Sequence, residues 1–187
     1  MTCYAPMQFG DLLTFNSVNI DRFTETYSVA FYGTYLTKWP DYQTVVRHPT
    51  GVMMGYVLGK VEGNGQDWHG HVSAVTVSSC FRRVGLGEQL MKQLEDVSAN
   101  VHKGYFVDLF VRRSNAVAKS MYEKLGYVVY RTVLGYYQGG NPGENAVHGR
   151  SEDALDMRKA LPRNAERSVS AVIPLSKPVK PADLEWH

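Results

Sequence analysis

The chain has 187 residues, 44% of them hydrophobic and 20% charged, with a net charge of +2. That length and composition fit one domain with a full core and exclude global disorder, while the even spread of Lys and Arg argues against direct nucleic-acid binding. No stretch approaches about 18 uninterrupted apolar residues and Met1 to Gly10 lacks a signal-peptide pattern, so neither a membrane span nor secretion is expected.

From the N-terminus, Asp11, Leu12, Phe15 and Val18 fall at helical spacing behind Gly10, and a second helix is predicted over Val29 to Lys38, stopped by Trp39-Pro40. Arg22 to Tyr27 reads as an ordered polar loop between them. Gln43–Arg47 and Val52–Val61 read as neighbouring strands turned by Pro49-Thr50-Gly51. In the next strand, His69–Val77, alternation places Val72, Ala74 and Thr76 on one face and His71, Ser73, Val75 and Val77 on the other. A helix over Leu86–Ala99 presents Leu86, Leu90, Met91, Leu94 and Val97 on one side. Tyr105–Val111 is nearly continuous apolar, as in a strand covered on both faces. Ser114 caps a helix that runs to Leu125 and ends at Gly126. Tyr127–Val133 and Ala154–Met157 complete the strands, separated by a long Gly-, Asn- and Pro-rich loop at Gln138–Glu152. Residues 1–162 form the domain, of α/β class with a mixed sheet; residues 163–187 form a Pro-punctuated tail, extended over the surface or on a partner. Cys3 and Cys80, the only cysteines, make no disulfide framework and no zinc spacing, which suits the cytoplasm. Cys80 reads as a packing residue.

The strongest local signal is the strand Val72–Val77 followed by Arg82-Arg83-Val84-Gly85-Leu86-Gly87 and a helix. Unbonded N–H groups at a helix start, with the macrodipole, bind anions, and glycines let a phosphate come close. The spacing fits neither a dinucleotide-binding turn, which needs a Gly where Leu90 stands, nor a P-loop. By itself the stretch also reads as a helix cap with two solvated arginines.

Downstream, Asn115 and Tyr122 stand seven residues apart in a helix that ends Leu125-Gly126-Tyr127. Together with the Arg-Arg-x-Gly-x-Gly turn, this order and spacing resembles the GNAT acetyltransferase superfamily. The resemblance implies a mostly antiparallel central sheet, splayed open at the cofactor site and flanked by helices. Acetyl-CoA would be held by Val75, Val77, Arg82, Arg83, Val84, Gly85, Leu86, Gly87, Asn115 and Tyr122. More of the chain is similar to one branch, the catalytic subunits of NatB-type protein N-terminal acetyltransferases: Thr24 to Tyr27, Trp39-Pro40, Trp68 to His71, Val107 to Val111, Gly135 to Tyr137, Asp156 to Leu161 and Pro178 to Pro181. The chain departs from that branch at Tyr4–Gln8, at Gly63–Gln66 and in the length of the 138–152 loop.

That branch acetylates the α-amino group of nascent chains beginning Met-Asp, Met-Glu, Met-Asn or Met-Gln. By resemblance the acceptor groove is walled by Glu25 and Tyr27 on one side and Tyr136 and Tyr137 on the other, with His71, Ser73 and Ala74 beneath. A large helical-repeat auxiliary subunit is expected as partner, bringing the enzyme to the ribosome; Leu12, Leu13, Phe31, Tyr35 and Leu36 could form its contact or simply pack in the core. An α-amine, with a reference pKa of about 7.7–8.0, needs only a modest base. His71, directly or through a water, is one candidate, and a water held by backbone carbonyls and Tyr137 is another; His71 is equally a candidate, with Ser73, to read the second substrate residue, and the sequence leaves these roles open. Tyr122 is expected to stay protonated and donate to the departing thiolate or the oxyanion, with a backbone N–H near Val75 on the thioester carbonyl. His69 and His71, at i and i+2, could chelate, but no third ligand is apparent and no metal is expected. The alternatives are a GNAT enzyme with another amine acceptor, a non-catalytic acetyl-CoA-binding subunit, and a plain interaction domain.

Overall fold

A computed structural model describes residues 2–21, 23–137, 151–166 and 172–184. Among them, seven strands form one sheet: β1 (Cys3–Pro6), β2 (Thr44–Arg47), β3 (Met53–Glu62), β4 (His69–Val77), β5 (Phe106–Arg112), β6 (Val128–Tyr137) and β7 (Glu152–Ala160). Their order is β1-β2-β3-β4-β5-β7-β6, antiparallel throughout except between β4 and β5. The β4–β5 crossover carries helix α2 (Leu86–Asp96), while α1 (Val29–Lys38) precedes β2 and α3 (Ala116–Lys124) follows β5. The mixed, mostly antiparallel sheet with flanking helices is the expected α/β architecture.

Each face of the sheet has its own core. Leu86, Leu90, Met91 and Leu94 from α2 bury against Val57, Val72, Leu109 and Met157, joined by Tyr122 and Tyr127. On the other face Tyr32 and Tyr35 of α1 pack with Phe15, Val45, Tyr56 and Leu58. Fully burying one such side chain is worth about 1.5–3 kcal/mol, so the two cores hold the layers together. Helix α1 has the predicted bounds because Ser28 accepts the N–H of Phe31 at its start and Trp39-Pro40 ends it.

Several expectations need correction. The segment around Asp11–Val18 forms two 3-10 turns, Phe9–Leu13 and Phe15–Ser17, preceded by the unpredicted edge strand β1. Side chains compete for the backbone there: Asp11 accepts the N–H of Gln8, and Thr14 donates to the Asp11 carbonyl. Helix α2 stops at Asp96 and widens into a π turn at Val97–Val101. Asn115, not Ser114, caps α3 by accepting the N–H of Ala118 at 3.2 Å. Strands β6 and β7 run beyond the predicted stretches, to Tyr137 and over Glu152–Ala160, and Arg131 and Arg158 both pair with the buried Asp156 between them. Cys80 is exposed and does not pack. Tyr35 and most of the α1 aromatics belong to the core, leaving Phe9, Leu13, Ile20 and Val29 as the exposed apolar side chains of this region.

The expected alternation of β4 also fails halfway. Ala74 pairs with Leu58 and Val72 with Gly59, so Ser73 is an extra residue in the ladder. This bulge shifts the period by one. Val72, Val75 and Val77 therefore face α2, whereas Ala74 packs toward α1 and the Ser73 hydroxyl meets Tyr35.

The 138–150 part of the long loop lies outside the described residues. In the tail, Val179 bridges Val133 on the outer edge of β6: the Leu134 N–H donates to the Val179 carbonyl and the Val179 N–H to the Thr132 carbonyl. Val172 and Leu184 are buried, Leu184 against Val133 and Ala154.

Candidate active site

Strands β4 and β5 pair over only three positions, Gly70 with Val107, His71 with Asp108 and Val72 with Leu109. Beyond them the strands part, and a cleft of about 1470 Å³ passes through the sheet. Its lining includes the residues from His71 to Val77, Arg82, Arg83 and residues 85–88 of the turn, most of α3, and aromatic side chains of α1 and β6.

On the α2 side the cleft is built from main chain. Gly85 has φ +85°, a left-handed conformation that side chains disfavour, and it caps α2. The Gln89 N–H closes on the Gly85 carbonyl, so the amides of residues 86–88 have no helical acceptor and are available to an anion, with the dipole behind them. Gly87 serves packing, since a Cβ there would lie 3.1 Å from Met121 Sδ. Arg82 donates to the Val77 carbonyl and pairs with Asp21 at 2.7 Å, while Arg83 is exposed with φ +69°. Val84 is 68% exposed and off the cleft lining. The other expected cofactor residues, Val75, Val77, Leu86, Asn115 and Tyr122, all line it. Burial raises the Tyr122 phenol well above its ordinary pKa, so its hydroxyl stays protonated.

On the α1 side the cleft is built from side chains. Tyr27, Phe31 and Tyr35 form a stack with centroids 4.1 and 4.3 Å apart, and Phe110 stacks on Tyr136 at 4.8 Å. The Tyr27 hydroxyl donates to the Ser73 carbonyl at 3.2 Å and the Tyr137 hydroxyl to the Phe110 carbonyl at 3.1 Å. Both tyrosines thus brace the parted strands, and their oxygens keep only acceptor capacity for a ligand. Burial, with the nearby charges of Asp108, Glu25 and Glu62, pushes the Tyr136 phenol up to about 12.

Three groups escaped the sequence reading. Arg112 pairs with Glu25 and Glu152 and lies 4.1 Å over the Tyr137 ring, tying the two walls together. Asp108 is buried with Oδ1 2.7 Å from His71 Nδ1, and Glu62 Oε1 is 3.7 Å from the same nitrogen. A lone acid inside the apolar run Val107–Val111 was a signal, because a buried charge needs a partner. Its partner 37 residues away in β4 could not be named without the parallel register. Among the described residues no cluster of His, Cys, Asp and Glu has the arrangement to hold a metal ion, and no helix is long and apolar enough to cross a membrane.

A model of the acetyltransferase (GNAT) family matches residues 13–127. A Leishmania donovani protein described as an N-terminal acetyltransferase complex ARD1 subunit homolog is 57% identical over 187 residues, covering 100% of both chains. The N-terminal acetyltransferase B complex catalytic subunit of Arabidopsis thaliana is 52% identical, covering 100% of this chain and 99% of that one. Among solved structures, Naa20 of Chaetomium thermophilum in complex with a bisubstrate analogue superposes with a TM-score of 0.87 at 36% identity, covering 99% of this chain and 100% of that one. A cleft that joins an anion-binding helix start to an aromatic groove through a split sheet, in a chain matched end to end by such relatives, leaves one conclusion: this chain belongs to the GNAT acetyltransferase family, as an N-terminal acetyltransferase of the NatB catalytic-subunit type.

Proposed function

We propose that the chain acetylates the α-amino group of proteins that begin Met-Asp, Met-Glu, Met-Asn or Met-Gln, using acetyl-CoA. The observation that carries this reading is the continuity of the cleft from the amides of residues 86–88, past the open edge of β4, to the aromatic walls. The residues fit the co-substrate: N–H donors and Arg83 suit its phosphates, and the unpaired stretch of β4 offers main-chain groups to its amide arm. Acetyl-CoA supplies the activated acetyl thioester. Val75 holds a backbone amide beside the split, and Tyr122 holds a proton on Oη that it can donate as negative charge develops.

In the acceptor half, Tyr27 stacked on Phe31 and Tyr136 stacked on Phe110 offer apolar ring faces that suit a methionine side chain. His71 at the floor supports either proton removal from the α-amine or recognition of the second residue. A site whose polar groups stay unpaired with the wrong side chain discriminates strongly. The Arabidopsis thaliana relative is the catalytic subunit of a complex, and a large helical-repeat auxiliary subunit is the partner proposed here, carrying the enzyme to nascent chains at the ribosome. The exposed Phe9, Leu13, Ile20 and Val29 and the tail from 163 onward are the surfaces proposed for it. Two exposed free thiols suit a cytoplasmic location.

The test is turnover of acetyl-CoA with Met-Asp, Met-Leu and Ser-starting peptides, with and without the auxiliary subunit. Turnover confined to Met-Asp supports the assignment; equal use of all three, or use of lysine side chains instead, overturns it.

A further inference from the structure

We propose that Asp108 is a positioning residue that acts through His71, holding the ring with Nδ1 protonated so that Nε2 serves the cleft. The proposal rests on the reading above that His71 works on the acceptor.

The geometry comes from the one parallel pairing in the sheet. It sets Asp108 opposite His71, and the Asp108 carboxylate, 4% exposed, approaches Nδ1 at 2.7 Å. Burial alone would raise the Asp108 carboxyl; the facing His71 and His69 rings and Arg158 outweigh it and hold the group below the usual carboxylate range. An ionised carboxylate only accepts, so the proton between them sits on Nδ1. The neutral ring then carries its lone pair on Nε2.

The surroundings reinforce this assignment. His69 does not compete for Asp108 Oδ1, because its own Nδ1 lies 2.5 Å from the Asp67 carbonyl, which can only accept. His69 Nε2 instead faces Asp108 Oδ2 at 3.6 Å. The second acid near the His71 ring, Glu62, also approaches from the Nδ1 side, at 3.7 Å, and is itself paired with Lys60. Among the described residues Nε2 has no hydrogen-bond partner, and His71 lines the cleft.

This arrangement serves proton transfer with a simple balance. The acceptor's ammonium gives one proton to Nε2, leaving a neutral amine and an imidazolium. Asp108 takes no proton; it stabilises the new charge and keeps the ring oriented. The same fixed ring can accept from a substrate amide at Nε2, or donate from it once protonated, so one device underlies both roles read for His71.

The experiment uses the full chain with its auxiliary subunit. Nitrogen-15 NMR of histidine-labelled wild-type enzyme should show His71 with Nδ1 protonated and Nε2 unprotonated in its neutral form; the reverse tautomer overturns the proposal without any turnover measurement. Asp108→Asn should then lose that pattern and lower kcat/KM for a Met-Asp peptide by about a hundredfold, the lower end of the usual acid–base contribution. His71→Ala should lower it comparably, and Asp108→Asn should add less than about twofold in the His71→Ala background. Penalties that multiply, or wild-type kinetics in Asp108→Asn, defeat the proposal. Acetyl-CoA affinity, carried by the other face, should stay unchanged in all variants and reports that they fold. A wild-type enzyme that ignores Met-Asp peptides refutes the acceptor assignment, while the NMR pattern still decides the Asp108–His71 link.

Discussion

The two ends of the cleft solve recognition with different parts of the polypeptide. The cofactor end relies on backbone: three amides at the start of α2, a left-handed glycine and a strand edge that its neighbour has abandoned. The acceptor end relies on side chains: stacked rings, a carboxylate–imidazole pair and an arginine that ties one wall to the other. A backbone site is insensitive to most side-chain changes but sensitive to backbone conformation. A side-chain site is the reverse. Every molecule that uses acetyl-CoA meets the same phosphates, whereas the acceptor end must tell one peptide from another, and only side chains carry that information.

Tyr122 is where the contrast should break most sharply. It is buried, lines the cleft on the cofactor face and keeps its phenol protonated. Tyr122→Phe should lower kcat by about 10²–10³, the usual cost of losing one preorganised donor, with little change in peptide KM. Wild-type kcat in that variant would remove the donor role. Next in size is Gly85→Val. Left-handed φ costs an ordinary residue about 1–2 kcal/mol, and distortion of the turn should weaken acetyl-CoA binding by about tenfold in calorimetry, leaving peptide KM unaffected. The acceptor end should answer in the opposite way. Glu25→Ala removes the pairing to Arg112 and should raise peptide KM by about three- to tenfold while acetyl-CoA affinity holds; unchanged peptide kinetics would take Glu25 out of the groove.

The same division explains what could be read from the sequence. The cofactor turn was legible because its determinants are local: glycines at fixed spacing after a strand and before an amphipathic helix. The end of α1 was legible for the same reason, with Trp39-Pro40 as its stop. The aromatic walls were located only through resemblance. Asp108 and Arg112 were missed because their meaning depends on partners brought near by the sheet, at separations of 37 and 87 residues. The bulge at Ser73 defeated a strict period of two, and the charged ends of β7, Glu152-Asp153 and Arg158-Lys159, hid its length. Local rules describe helices and turns well; pairing across strands is where they run out.

The smallest expected effect is the most pointed check of the backbone argument. Val84 sits in the middle of the phosphate turn and was expected among the cofactor contacts. Its side chain is 68% exposed and does not reach the cleft lining, although Arg83 and Gly85 on either side do. If the turn grips its ligand through main chain, Val84→Ala leaves every relevant group in place. Its acetyl-CoA dissociation constant should stay within about twofold of wild type, below about 0.4 kcal/mol, in the same calorimetric titration that reports a tenfold loss for Gly85→Val. A loss in Val84→Ala as large as that in Gly85→Val would mean that the valine side chain covers the bound co-substrate. The cofactor end would then depend on side chains as the acceptor end does.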